Sequence, residues 1–250
     1  MRTLIHSLKP TLKYFLWFVL LVLVLTGCSS TQAPITGETE GFFNHYFVYS
    51  FSRLIMGAAH ILGGSYGIAI IVITLLIRFF LLPLNLSQYK QQKRMQILKP
   101  KMDEIKEKYD KTKKDDQAKQ QQEIMKLFQQ EGVNPLSGCL PMIVQLPILM
   151  AFYYAIARTQ EIAVHNFLWF SLGQADPIHI LPIIAALTTF TQVKLSQAQM
   201  EAANPQMRVM QVMMPIMIFT FALKMPAALP LYWIVGNVFM ILQTVILRRA

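Results

Sequence analysis

SYGIAIIVITLLIRFFLLPL, residues 65–84, is the stretch that decides the fold. At ~1.5 Å per residue it is long enough to cross the hydrocarbon core of a bilayer. It holds thirteen strongly apolar side chains and one charge, Arg78. Each apolar side chain favours insertion by about 0.3–0.6 kcal/mol, and together they outweigh the roughly 3 kcal/mol that one arginine costs at mid-membrane. The stretch therefore reads as a span with an arginine below its midplane. Thr74 lies one turn earlier, and Gly67 and Ile71 continue the same helical face. An ionisable group inside a membrane marks a functional site by default, and its partner has to be found.

Working outward, the remainder of the chain also reads as membrane protein. Hydrophobic residues make up 54% of the 250 and charged residues 14%, with a net charge of +10. Lysine and arginine concentrate in residues 85–134 and at the two ends, the distribution that the positive-inside rule produces, so no specific nucleic-acid partner is expected. Residues 1–27 form a secretory signal, basic and then apolar, ending in Leu25-Thr26-Gly27-Cys28. That ending resembles a bacterial lipobox, which implies lipidation of Cys28; an uncleaved first helix is the alternative. Residues 28–64 are extracellular and include an amphipathic helix from Gly41 to Leu62, with Phe43, Phe47, Phe51, Leu54, Ile55 and Ala58 on its apolar stripe and Asn44, Ser52 and Arg53 off it. Gly63-Gly64 breaks that helix before the first span, 65–84.

Residues 85–134 form a cytoplasmic helical hairpin with an apolar seam of Met95, Leu98, Met102, Ile105 and Tyr109 against Ile124, Leu127 and Phe128. Glu104–Lys108 and Glu107–Lys111 have the spacing of solvated helix pairs. Four more spans follow at 135–157, 177–193, 209–223 and 229–247. Between them lie an extracellular loop, 158–176, with the aromatic cluster Phe167, Trp169 and Phe170, and a cytoplasmic loop, 194–208. The fold class is an all-α membrane protein, a five-transmembrane-helix bundle. Its N-terminus is lipid-anchored outside the bacterial plasma membrane and its C-terminus is cytoplasmic. The span 209–223 is short for a bilayer, which implies local thinning or oligomerisation, or else ordinary mismatch or misplaced boundaries.

No Asp or Glu falls in any of the five spans, and the one His, His179, stands at the outer start of the third. Arg78 cannot lose its proton, and dry unpaired burial would cost several kcal/mol, so its side chain must reach water. It either snorkels past Pro83 to the inner headgroups or lines a hydrophilic groove open to the cytoplasm. Thr74, Gln145, Thr188, Gln192, Gln211, Asn237 and Gln243, together with prolines in the other spans, favour the groove. Such a charge suits docking of acidic or polar chain better than catalysis. Gly63-Gly64-Ser65-Tyr66-Gly67 matches a serine-hydrolase elbow, but that motif requires a strand–turn–helix context. No nucleotide or metal motif is present, and no cofactor is expected.

Arg78 followed by Pro83, Asn134-Pro135-Leu136-Ser137-Gly138-Cys139-Leu140-Pro141 with Gln145-Leu146-Pro147, Asp176-Pro177 with Leu181-Pro182, Met214-Pro215, and Pro226 with Leu231-Tyr232-Trp233 occur in that order. In this combination they resemble the YidC/Oxa/Alb family of membrane protein insertases, in its Gram-positive lipoprotein form. The resemblance implies a groove closed outside and open to cytoplasm and lipid, with Arg78 as its arginine and Thr74 as its threonine. It also implies that Tyr232 or Trp233 contacts substrate; both also suit an outer aromatic belt. The implied function is a non-enzymatic insertase and chaperone acting on nascent membrane proteins, with the Sec translocon and the ribosome as further family partners. The ribosome contact is the weaker, because many relatives carry a long basic tail and this sequence ends two arginines past its last span. A small-solute transporter or channel is the rival reading, although repeats and intramembrane acids are not seen.

Overall fold

The computed structural model describes residues 33–109, 113–133, 140–197 and 205–249. Cys28, the signal segment and the Asn134–Cys139 motif lie outside the described residues. The described residues are mostly helical. A π-helical segment, Asn44–Tyr49, runs into α1 (Ser50–Ile61), and α2 (Tyr66–Phe80), α3 (Leu82–Ile97), α4 (Lys99–Glu107) and α5 (Lys114–Gln130) follow. Then come α6 (Leu140–Arg158), the single turn α7 (Gln160–Ala163), a two-stranded antiparallel hairpin of β1 (Asn166–Phe167) and β2 (Phe170–Ser171), α8 (Ile180–Gln197), α9 (Pro205–Ala222) and α10 (Ala228–Arg249). By length and composition, one described helix, Ala228–Arg248, qualifies alone as a membrane span. Asn44–Ile61 and Tyr66–Phe80 qualify only as a pair, bent by 118°, and Val144–Arg158, Ile180–Ser196 and Gln211–Ala222 are shorter apolar helices.

The 118° bend is made at Gly63 and Gly64, whose φ values of +69° and +87° few other residues tolerate. It lays α1 across the end of the bundle. The buried face only partly follows the expected stripe. Ile55 is buried and Phe51 and Ala58 pack against the core, but Val48, Ser52 and Ala59 also turn inward, while Phe47 and Leu54 remain exposed. Ser52 can lie inward because its hydroxyl shares a 2.7 Å hydrogen bond with the Thr159 hydroxyl. Asn44 is likewise engaged, accepting from Arg158 Nη1 at 3.0 Å.

At this end the packing is dense. Ile55, Ile70, Phe152, Ile156, Ile162, Phe170, Leu172, Leu229 and Tyr232 are all at most 2% exposed and form one cluster. The expected aromatic cluster divides: Phe170 enters this core, Phe167 lies against Gly67, and Trp169 stays exposed. Asp176 is buried there and accepts from Trp169 Nε1 (3.0 Å) and from the backbone N–H groups of Ile178 (3.2 Å) and Leu181 (2.7 Å), securing the start of α8. The α9–α10 turn is tied to the cap by Ala227 N–H to Gln174 O, 2.7 Å.

α9 begins at Pro205, so the helix itself is about 27 Å long, although its apolar part, Gln211–Ala222, is shorter. Away from the bundle, α4 and α5 form the hairpin on a small core of Leu98, Phe128 and Val133 with Met95, Met102 and Ile124. Pro100 stands in the first turn of α4 and so starts a helix there. Lys108 pairs across the hairpin with Glu123 at 3.4 Å, and Lys101 with Glu131 at 2.6 Å, in place of the expected Glu104–Lys108 pair. Lys111 is outside the described residues.

Candidate functional site

The helix carrying Arg78 does not continue to Leu84. It closes at Leu81, which puts Arg78 in the last turn of α2, and Pro83 opens α3. The unpaired carbonyls there carry partial negative charge, worth about 0.3–1 kcal/mol to a cation and up to about 2 when partly buried. This is one reason the arginine needs no acid. Among the described residues the ion pairs all lie in the hairpin.

Arg78 is half-buried, with its guanidinium carbon 5.9 Å from the centroid of the Tyr232 ring. The ring face attracts the cation without neutralising it. Gly236, one turn further along α10, makes room for it. A Cβ at that position would stand 2.5 Å from Arg78 Nη2 and 2.9 Å from Nε. Tyr232 is itself fixed, accepting from Gln145 Nε2 at 2.7 Å and packing against Phe152 at 4.8 Å between ring centroids. Thr74 is fully buried one turn above Arg78, and its hydroxyl donates to Ile70 O at 2.6 Å.

The structure thus brings Arg78, Tyr232 and Gln145 into one linked group with Thr74 a turn away. Two other expected site residues do not join by direct contact. Gln192 donates along its own helix to Ser196 Oγ at 3.1 Å. Trp233, about 100° further around α10, packs half-buried at the margin of the apolar cluster. Gly236 was not foreseen, since a glycine among apolar residues gives no sign of a partner on a distant helix. Asn237 joins α10 to α8 through Thr189 Oγ1 (2.8 Å) and Thr188 Oγ1 (3.3 Å).

Away from the dense cap the packing changes character. Arg78 Nε, Gln88 Nε2, Gln91 Oε1, Gln211 Nε2 and Gln243 Oε1 are buried and have no hydrogen-bond partner among the described residues. Orphaned buried polar atoms are costly, about 1–3 kcal/mol each, unless water or a ligand serves them. The chemistry on offer is a fixed cation, a tyrosine face, hydroxyls and carboxamides, which suits holding rather than bond-breaking. Ser65 begins α2 in extended backbone, and His60 sits exposed in the last turn of α1. No cluster of metal-ligating side chains occurs among the described residues.

The model of the 60Kd inner membrane protein family matches residues 57–250. The chain belongs to this family. Among curated members it is 52% identical to membrane protein insertase YidC 2 of Bacillus anthracis, covering 96% of this chain and 94% of that one. It is 49% identical to membrane protein insertase MisCA of Bacillus subtilis, over 96% and 92% of the two chains. A solved structure of an active YidC insertase with its first transmembrane domain resolved superposes with a TM-score of 0.65 at 25% identity, over 84% of this chain. The chain spans 47% of that solved chain.

Proposed function

We propose that this member of the 60Kd inner membrane protein family is a membrane protein insertase of the bacterial cell membrane. It takes nascent membrane proteins, passes their short polar segments across the bilayer and releases their apolar segments into lipid. The observation that carries the reading is the contrast between the two ends of the bundle. One end is closed by α1, the β-hairpin and a core at most 2% exposed, while beyond Tyr232 lie Arg78 and carboxamides with unserved polar atoms. Five spans, with the cap outside and the hairpin inside, place that unserved polarity towards the cytoplasm. Water there hydrates Arg78 in the groove and lowers the barrier for a polar flank.

The energy comes from the substrate. Partition of ~20 apolar residues supplies several kcal/mol, and the membrane potential adds about 2.3 kcal/mol per charge per 100 mV. The protein does no covalent chemistry in this scheme. Cys28 carries the lipid that anchors the mature N-terminus outside, and the basic hairpin faces the compartment of the ribosome and the cytoplasmic side of the Sec translocon.

The test is substitution of Arg78 in the full chain, followed by insertion of substrates with acidic or neutral translocated flanks. Arg78→Ala should leave the protein abundant and impair acidic-flank substrates most. Arg78→Lys should keep much of the activity, because the site asks for charge over a ring and not for a bidentate fork. Normal insertion of acidic-flank substrates by Arg78→Ala at wild-type abundance would refute the charge mechanism.

A further inference from the structure

We propose that Gln88 and Gln243 form a second contact zone for substrate, one that holds the peptide backbone of an extended segment whatever its charge. The idea rests on the insertase reading and specifies what the site recognises below Arg78. α3 and α10 meet through two side-chain contacts: Asn85 Nδ2 donates to Met240 Sδ at 3.5 Å, and Tyr89 OH donates to Leu247 O at 3.3 Å. Gln88 is three residues after Asn85, and Gln243 is three after Met240 and four before Leu247, so each shares the helical stripe of the residues that make these contacts. Gln88 is 7% exposed, yet its Nε2 has no partner among the described residues, and neither has Gln243 Oε1.

The chemistry of the unserved atoms selects the ligand class. A carboxylate or phosphate would use donors only, and a cation acceptors only. An acyl chain would use neither. A peptide group offers one N–H and one C=O together, which matches two carboxamides that each carry both a donor and an acceptor. A carboxamide also exchanges donor and acceptor by a half-turn of its terminal group, so the pair can follow a backbone whose register shifts as it passes. Arg78 would read charge, and this pair would read chain.

The experiment uses the full-length protein in lipid vesicles with two substrates that differ only in an acidic or a neutral polar translocated flank. The Gln88→Leu/Gln243→Leu double variant keeps side-chain size and removes the amides. Insertion of both substrates should fall by the same factor, about three- to tenfold per lost hydrogen bond. Arg78→Ala, in contrast, should discriminate between them. A photo-crosslinking residue placed at Gln243 in an otherwise wild-type chain should capture the polar flank of an arrested substrate, which keeps the proposal testable if the double variant folds poorly. Unchanged insertion by a folded double variant, a loss confined to the acidic flank, or crosslinks to lipid alone would each overturn it. In those cases wild-type insertion still stands. If the wild-type protein inserts neither substrate, the insertase reading falls as well.

Discussion

Gly236→Ala tests whether the position of the Arg78 charge matters, separately from its presence. The added Cβ would lie 2.5 Å from Nη2, 2.9 Å from Nε and 3.0 Å from Cζ of Arg78. Ordinary contact begins near 3.5 Å, so the guanidinium must retreat by about 1 Å. It can do so, because the obstructing atoms are the far end of a flexible side chain and not backbone. Retreat weakens its contact with the Tyr232 ring, a contact worth about 0.5–2 kcal/mol. Against this, replacing a mid-helix glycine by alanine gains about 0.5–1 kcal/mol. The two effects nearly cancel in stability, so Tm should move by no more than about 2–4 °C. They do not cancel in function. Misplacing the charge should lower insertion of acidic-flank substrates by about two- to thirtyfold, the factor that corresponds to losing such a contact. The assay is vesicle insertion beside a thermal melt, with Gly57→Ala, which meets no atom within 4 Å, as the control. Full activity in Gly236→Ala would refute the reasoning, and so would a collapse in abundance, which would show that the backbone and not the arginine had yielded.

Three further outcomes are expected. In the hairpin, the Tyr109 hydroxyl, hydrogen-bonded at 2.8 Å, holds the Glu123 carboxyl below its ordinary range, and the same bond raises the tyrosine. The Glu123 contribution is therefore present above the ordinary carboxylate value and lost as pH falls through the lowered one. The Tyr109 contribution is present below about 10 and lost as pH rises through the raised value. Limited proteolysis of the hairpin across pH should show both edges. Tyr109→Phe should abolish the alkaline edge and only weaken the acid one, because Lys108 still pairs with Glu123. Persistence of the alkaline edge in that variant would contradict the assignment. Single cysteines at Lys113 and Gln174 should label from opposite faces of the membrane, Lys113 from the cytoplasm, and labelling of both from one side would overturn the five-span arrangement. Intact-mass measurement should find residues 1–27 absent and Cys28 diacylated, and Cys28→Ala should remain in the membrane because the spans retain it.

Arg78 stood out in the sequence because a lone charge in an apolar run is a strong signal at any distance from its surroundings, and the structure sets it beside Tyr232. The hairpin seam was legible for a related reason: Leu98, Ile105, Leu127 and Phe128 are buried as their spacing requires. What the sequence could not display was pairing between helices. The apolar stripe on α1 pointed to Phe47 and Leu54, but Ser52 faces inward because Thr159, far along the chain, supplies the hydrogen bond that makes its burial tolerable. Lys108 had a helical partner at Glu104 and took Glu123 from the opposing arm. Tyr232 and Trp233 were equal candidates in sequence. Only the azimuth of α10 separates them, putting Tyr232 under Arg78 and Trp233 at the edge of the core.

The absence of an acid near Arg78 follows from the same geometry. A carboxylate partner would satisfy the guanidinium and would also compete with an acidic substrate for it. The protein instead stabilises the cation with groups that leave its charge intact: the C-terminal turn of α2, the Tyr232 face and, in the proposed groove, water. The first two are worth about 0.3–2 and 0.5–2 kcal/mol. Together they offset part of the several kcal/mol that bringing the charge into the protein costs. The remainder falls to solvent, which requires that the polar end stay open. A charge held this way is available to a passing flank, and Gly236, by leaving space for it beside the ring, is as much a part of the device as the arginine.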